Sequence, residues 1–413
     1  MKESVDLLIY NIKEIVTPIA PYPKKEKLIK DISIISNGAI AIKDGKIYDI
    51  SSNEKIRDLY KGEFEIDLRN ENIVLPGFVD PHTHLLFGGS REDEFLLRLE
   101  GADYLEIQKR GGGIIKTKND TFSFPEKILI EETKKRLNSG ISYGITTFEI
   151  KSGYGLNIDK EIILLEIINK LREESKMKII PTLLLHLLPE DEEIDVFLND
   201  LSDILPYIIE KNLSHNIDIF IEKGAFDIET SDKILNKAKN LNFKISLHID
   251  QFNDINGVDL AIKYNANSVS HIDLTKEEKL YILGKKNIVG IIFPIERLIF
   301  SKEPKRGREI IDSGVPLSIS TDFNPGTSPS LNFPLIISLS VIRESLTVEE
   351  AINASTINSA YALNLSDEIG SIEKGKRADL IIFELDSYKK IPYFVGMNFI
   401  KYVIINGEVM KIV

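Results

Sequence analysis

Ile73-Val74-Leu75-Pro76-Gly77-Phe78-Val79-Asp80-Pro81-His82-Thr83-His84 is the stretch on which the fold turns. An apolar run, Ile73 to Val79, stops abruptly at two histidines spaced i, i+2. In a β-strand that spacing puts both imidazoles on one face. Two neutral imidazoles side by side at a strand end make half of a site for a divalent metal ion.

Upstream of this run, residues 1–72 read as short strands at Asp6 to Tyr10, Ala39 to Lys43, Lys46 to Ile50 and Phe64 to Asp67. Lys43-Asp44-Gly45-Lys46 is a hairpin signal between two of them. Such a module has too little core to stand alone. Downstream, residues 73–372 alternate strand and helix. After a long excursion, Leu85 to Asp120, with a helix expected over Glu92 to Arg110, come strands at Gly144 to Ile150, Lys178 to Leu185, Ile217 to Ile221 and Lys244 to His248. Ser268 to His271, Ile288 to Phe293 and Val315 to Ser320 follow. With the first strand these make eight, and a (β/α)₈ TIM-type barrel of the α/β class is the economical fold. A doubly wound open sheet is the alternative. Residues 373–413 return to β character at Glu373 to Phe383 and Tyr402 to Ile405. Because chain ends often meet, they are expected to complete the N-terminal module as a small β-sandwich.

Five of the six histidines fall at strand C-termini: His82, His84, His186, His248 and His271. His215 precedes a strand and reads as a solvated loop residue. The last strand runs into Ser320-Thr321-Asp322, which adds a carboxylate to the same rim. In a barrel, strand C-termini converge on the face that carries active sites. Two imidazoles from strand 1, one from strand 5 and a carboxylate from strand 8 make an N₃O set with room for water. That composition is catalytic rather than structural.

Composition narrows the alternatives. A net charge of −12 without a dense Lys/Arg cluster argues against a nucleic-acid surface. Scattered charges and no small-residue cleavage site argue against reading the N-terminus as a signal peptide. No apolar run approaches a membrane span; Gly290 to Ile295 is broken by Pro294. The chain has no cysteine, which removes thiolate metal sites, disulfides and a cysteine nucleophile together. A cytoplasmic location is compatible with that absence.

The motifs Pro76-Gly77-Phe78-Val79-Asp80-Pro81-His82-Thr83-His84, Lys151-Ser152-Gly153-Tyr154-Gly155, Leu247-His248-Ile249-Asp250-Gln251 and Asp322-Phe323-Asn324-Pro325-Gly326-Thr327 carry a resemblance. From about Leu75 to Asp379 the chain resembles the amidohydrolase superfamily and, within it, the imidazolonepropionase family of histidine degradation. The resemblance implies hydrolysis of 4-imidazolone-5-propanoate to N-formimidoyl-L-glutamate by metal-activated water. A related deaminase of another cyclic amidine, or a barrel kept only for interactions, are the alternatives. It implies metal ligands His82, His84, His248 and Asp322 for one divalent or trivalent ion, zinc or iron. No lysine sits where a carbamylated bridge to a second metal would be expected.

The same resemblance makes Arg91 the partner of the propanoate, with Tyr154 and His186 as further substrate contacts. Gln251 would hydrogen-bond the ring, while Asn324, Gly326 and Thr327 would meet substrate or product. Gln251 cannot carry a proton, so Asp322 and His271 are left for that work. A homodimer would be usual for the family. Two departures stand out: the run Leu183 to Pro189 is more apolar than expected around His186, and Ser270 replaces an acidic residue before His271.

Overall fold

Strands at the N-terminus build a mixed sheet before the barrel begins, in a computed structural model that describes residues 2–101, 111–188 and 193–410. They are β1 (Glu3–Pro18), β2 (Ile32–Lys43), β3 (Lys46–Ser52), β4 (Tyr60–Asp67) and β5 (Ile73–Pro76). β1 is far longer than the strand expected at Asp6 to Tyr10. It changes register with β2 between Ile9 and Ile12, and that irregularity hides its length from a simple alternation count.

The barrel strands are β6 (Phe78–Asp80), β7 (Ile145–Lys151), β8 (Lys178–Leu185), β9 (Asn216–Ile221), β10 (Lys244–Ile249), β11 (Ser268–His271), β12 (Val289–Ile292) and β13 (Leu317–Ile319). They line up in sequence order, each parallel to the next. The C-terminal strands β14 (Leu380–Phe383), β15 (Ile400–Ile405) and β16 (Glu408–Met410) return to the first sheet, in the order β16-β15-β14-β5-β1-β2-β3 with β4 beside β1. That sheet therefore draws on both chain ends, as expected.

The apolar run Ile73 to Val79 is two strands rather than one. β5 pairs with β1 and β14, whereas β6 pairs with β7. Gly77 is the joint: a Cβ there would lie 2.1 Å from Thr146 Oγ1, closer than any side chain allows. The two histidines lie just past β6, in irregular backbone at its C-terminal end. The helix expected over Glu92 to Arg110 is a helix at Glu92–Leu99; residues 102–110 lie outside the described residues.

Barrel strands are buried on both faces, which explains their near-continuous apolar runs. All seven residues of β7 are buried. Its period of two sends Phe148 against the covering helix at Gly140, while Glu149 and Lys151 face inward. Charged side chains thus gather inside the barrel toward the strand C-termini. Between β6 and β13 no backbone ladder joins the described residues, and side chains close the gap. Asp80 accepts from the Thr321 amide at 3.1 Å and the Thr321 hydroxyl at 2.6 Å, and Ser320 also donates to it. The His84 amide donates to the Phe323 carbonyl at 2.9 Å. This clasp brings the two histidines of strand 1 beside Asp322 of strand 8. Among the described residues, no helix is long and apolar enough to cross a membrane.

Candidate metal centre and substrate pocket

His82, His84 and His248 each present a ring nitrogen, and the three lie within 4.8 Å of one another. Asp322 Oδ1 lies 3.6 Å from His82 Nε2 and 3.4 Å from His84 Nε2. All four residues are buried. His82 Nε2 and His248 Nε2 have no hydrogen-bond partner among the described residues. Buried polar atoms are rarely left unmet, because each costs about 1–3 kcal/mol. Nitrogen lone pairs converging with a carboxylate are the donor set that zinc or iron takes, so the residues fit a metal ion. Burial pulls the His82, His84 and His248 rings down towards the neutral, ligating form.

The remaining ring nitrogens are oriented by neighbours. His248 Nδ1 meets Asp218 Oδ1 at 2.9 Å. Asp218 Oδ2 accepts from Lys151 Nζ at 2.9 Å, and Lys151 also donates to Glu149 Oε1 at 2.8 Å. Burial opposes the charge on Asp218, but the His248 ring and the Lys151 ammonium hold its carboxyl well below the usual range. A carboxylate on one nitrogen fixes the ring's tautomer and raises the basicity of the other. His82 Nδ1 pairs with Ser270 Oγ at 2.9 Å, so the serine that departs from the family pattern serves His82 rather than His271.

None of Asp218, Lys151, Asp80 or Ser270 was assigned a role from sequence. A signal existed for Asp218: a lone carboxylate inside the apolar strand Ile217-Asp218-Ile219-Phe220-Ile221 needs a buried partner.

One cavity collects most of the other expected residues. His84, Arg91, Tyr154, His186, His248, Gln251, His271, Asp322, Asn324 and Thr327 all line it. Arg91 is anchored by Glu94, which accepts from Nε at 2.8 Å and lies 2.7 Å from Nη2. Gly326 lies behind that guanidinium: a Cβ on it would come 2.3 Å from Arg91 Nη1. His186 Nδ1 lies 3.1 Å from the Gly153 carbonyl, and its ring is near-parallel to His84 at 5.6 Å. Asn324 is largely spent within its own loop. Its Nδ2 donates to the Asp322 carbonyl at 2.7 Å, and its Oδ1 accepts from the Gly326 and Thr327 amides. Thr327 is held through that side chain too, so the loop is a preformed rim.

His271 and Asp322 both take left-handed backbone, at φ 69° and 48°. Non-glycine residues held there are strained, and such strain clusters at functional sites. A second group of metal-type side chains, His271, Asp273 and Glu296, is of another kind. Lys302 Nζ lies 2.6 Å from Asp273 and 2.8 Å from Glu296, and Arg297 pairs with Asp273. Two cations already neutralise the carboxylates, so this is an ion-pair network. His215 is exposed beside Asn212, as expected of a loop residue.

Known proteins resemble this chain at two distances. The sequence model of the amidohydrolase family matches residues 73–410. An imidazolonepropionase of Caldanaerobacter subterraneus is 39% identical over 403 residues, covering 97% of this chain and 96% of that protein. Imidazolonepropionases of Alkaliphilus oremlandii and Clostridium tetani are 38% and 37% identical, each match covering 98% of both chains. Among solved structures, a zinc-bound adenosine deaminase from Xanthomonas campestris superposes with a TM-score of 0.75 over 99% of this chain and 93% of its own, at 16% identity. At that identity the likeness speaks for the barrel alone.

Proposed function

Since the chain belongs to the amidohydrolase family and, within it, to the imidazolonepropionases, we infer that it hydrolyses the carbon–nitrogen bond of 4-imidazolone-5-propanoate, yielding N-formimidoyl-L-glutamate in histidine degradation. The observation that carries this reading is one cavity lined both by an anchored guanidinium, Arg91, and by His84, His248 and Asp322. His82, His84, His248 and Asp322 would hold one metal ion, zinc or iron. When bound, that ion supplies Lewis acidity toward a carbonyl and a water.

The chain's own groups do the rest. Arg91 pairs with the propanoate through a planar fork suited to a carboxylate. His186 and Tyr154 wall the ring, and Gln251 hydrogen-bonds it. Asp322 takes a proton from the attacking water and passes it to the leaving ring nitrogen. The carbonyl carbon ends as a carboxylate, and the other ring nitrogen keeps the formimidoyl group. His271 Nδ1, buried and without a hydrogen-bond partner among the described residues, is a second place for that proton.

The direct test is loss of imidazolone absorbance, with elemental analysis of the same purified sample. A metal-replete protein that leaves the imidazolone intact but releases ammonia from another cyclic amidine would make it a sister deaminase. The same analysis distinguishes zinc from iron. The reading includes a homodimer, the usual state of the family, in the cytoplasm, with which the lack of cysteine is compatible; sedimentation tests the dimer.

His271→Ala is expected to lower kcat roughly tenfold or more by removing a proton-transfer group. One metal ion per chain should remain, because His271 stands outside the four-ligand set. Metal content falling to zero would move His271 among the ligands. Gly326→Ala is expected to raise KM several-fold with little change in kcat, because the new methyl displaces Arg91 Nη1. An unchanged KM would mean that the position of Arg91 is not set by this contact.

A further inference from the structure

Glu296 follows β12 and is fully buried, at 0% exposure. Its Oε1 accepts from Gln251 Nε2 at 3.0 Å and from Lys302 Nζ at 2.8 Å. Gln251, in turn, lines the cavity beside His248, His271 and Asp322. An amide turned by 180° exchanges its oxygen and its NH₂ with almost no change in shape, so a lone glutamine can present either face to a ligand. A carboxylate removes that freedom because it only accepts. The NH₂ turned toward Glu296 gains a charge-assisted hydrogen bond, whereas a turned amide would set two oxygens against each other. Burial pushes the Glu296 carboxyl up, and the Lys302 ammonium on the same oxygen opposes it and favours the charged, accepting form. One of the two NH₂ hydrogens is committed to Glu296, and because the amide can no longer turn, its carbonyl oxygen stays on the side away from that carboxylate.

We propose that Glu296 is a positioning residue that locks the Gln251 amide, so that the pocket offers a fixed acceptor and selects rings presenting an N–H. The proposal rests on the functional reading above, since it deepens how the imidazolone ring is recognised. It assigns to Glu296 a part in specificity without contact to the ligand. A ring with an acceptor at that point, an ether-type oxygen for instance, meets oxygen with oxygen. It is rejected, because a fixed polar group discriminates more sharply than one free to turn.

The test uses two matched rings that bear the same side chain and have no scissile bond. Pyrrole-3-propanoate offers an N–H, and furan-3-propanoate offers an oxygen in its place. Binding is measured by calorimetry on the metal-replete protein, with a thermal melt for each variant. Wild type is expected to favour the pyrrole by about tenfold or more. In Glu296→Met the amide is free to turn, and the preference should shrink to within about threefold. Adding Gln251→Glu to Glu296→Met should restore it, since a carboxylate accepts whichever way it turns. A role in stability alone would not produce that recovery.

Three results would overturn the proposal: no pyrrole preference in wild type, a wild-type preference in Glu296→Met, or a double variant no more selective than Glu296→Met. Should Glu296→Met not fold, Gln251→Ala reads the same acceptor, and an undiminished preference in it overturns the proposal equally. Wild type that fails to consume the imidazolone removes the functional reading and this inference together. Turnover with an unaltered preference in Glu296→Met removes this inference alone.

Discussion

Asp322→Asn is expected to lower kcat by roughly 10²-fold or more, the loss typical of removing a general acid–base group. The substitution keeps size and shape, so it isolates charge and proton affinity. Asp322 Oδ1 sits 3.4 Å from His84 Nε2 and 3.6 Å from His82 Nε2, where an amide is a weaker metal ligand and cannot take a proton. Asn324 Nδ2 donates to Asp322 Oδ2 at 3.1 Å, a bond an asparagine oxygen also accepts, so the loop keeps its path. Burial holds the aspartate carboxyl well above its usual range, with Glu296 adding to the effect. Elemental analysis beside the kinetics separates the two losses: a metal-replete Asp322→Asn protein that is nearly inactive puts the defect in proton transfer. Undiminished kcat with metal bound would remove Asp322 from the chemistry.

Arg91→Ala is expected to raise KM by roughly 10- to 10²-fold, the range for losing charge-assisted hydrogen bonds to a carboxylate. The propanoate does not react, so its pairing contributes equally to ground and transition states and shows mainly in KM. Arg91→Lys should also raise KM more than it lowers kcat, because an ammonium lacks the bidentate fork. Some kcat is lost where the ring is less well placed. The structure sharpens this expectation. Glu94 holds Nε and Nη2 of Arg91, and its other oxygen accepts from the Gly113 amide at 3.0 Å, so the guanidinium is aimed before substrate arrives. The control is a substrate analogue without the carboxylate. Wild type is expected to handle it poorly, and Arg91→Ala should be little worse on it. Equal impairment on both substrates would mean that Arg91 does not bind the propanoate, and the case for this substrate over that of a sister deaminase would weaken.

Much of this molecule was legible along the chain because the signals are local. Eight apolar runs between amphipathic segments specify strand–helix alternation, and parallel strands need such crossovers. A histidine at the end of a run is placed on the barrel's C-terminal rim by that alternation alone. Hence His82, His84, His248 and Asp322 converge in space although nothing short-range links them. The boundaries were less legible. Ile73 to Val79 reads as one strand because β5 and β6 are both fully buried, and burial on both faces erases the alternation that would mark a break.

The supporting shell was decided only by the tertiary structure. His82 meets Ser270 across 188 residues, and Asp80 holds Thr321 across 241. His248 finds Asp218 only because β9 and β10 pair His248 with Phe220, two residues beyond Asp218. Gln251 finds Glu296 only because successive loops rise from the same rim. Composition and period state which groups are polar and that each buried one needs a partner. Which partner it takes depends on strand register and on how the barrel closes. A shift of one residue would turn every inward carboxylate outward, so that choice belongs to the assembled sheet rather than to any segment of it.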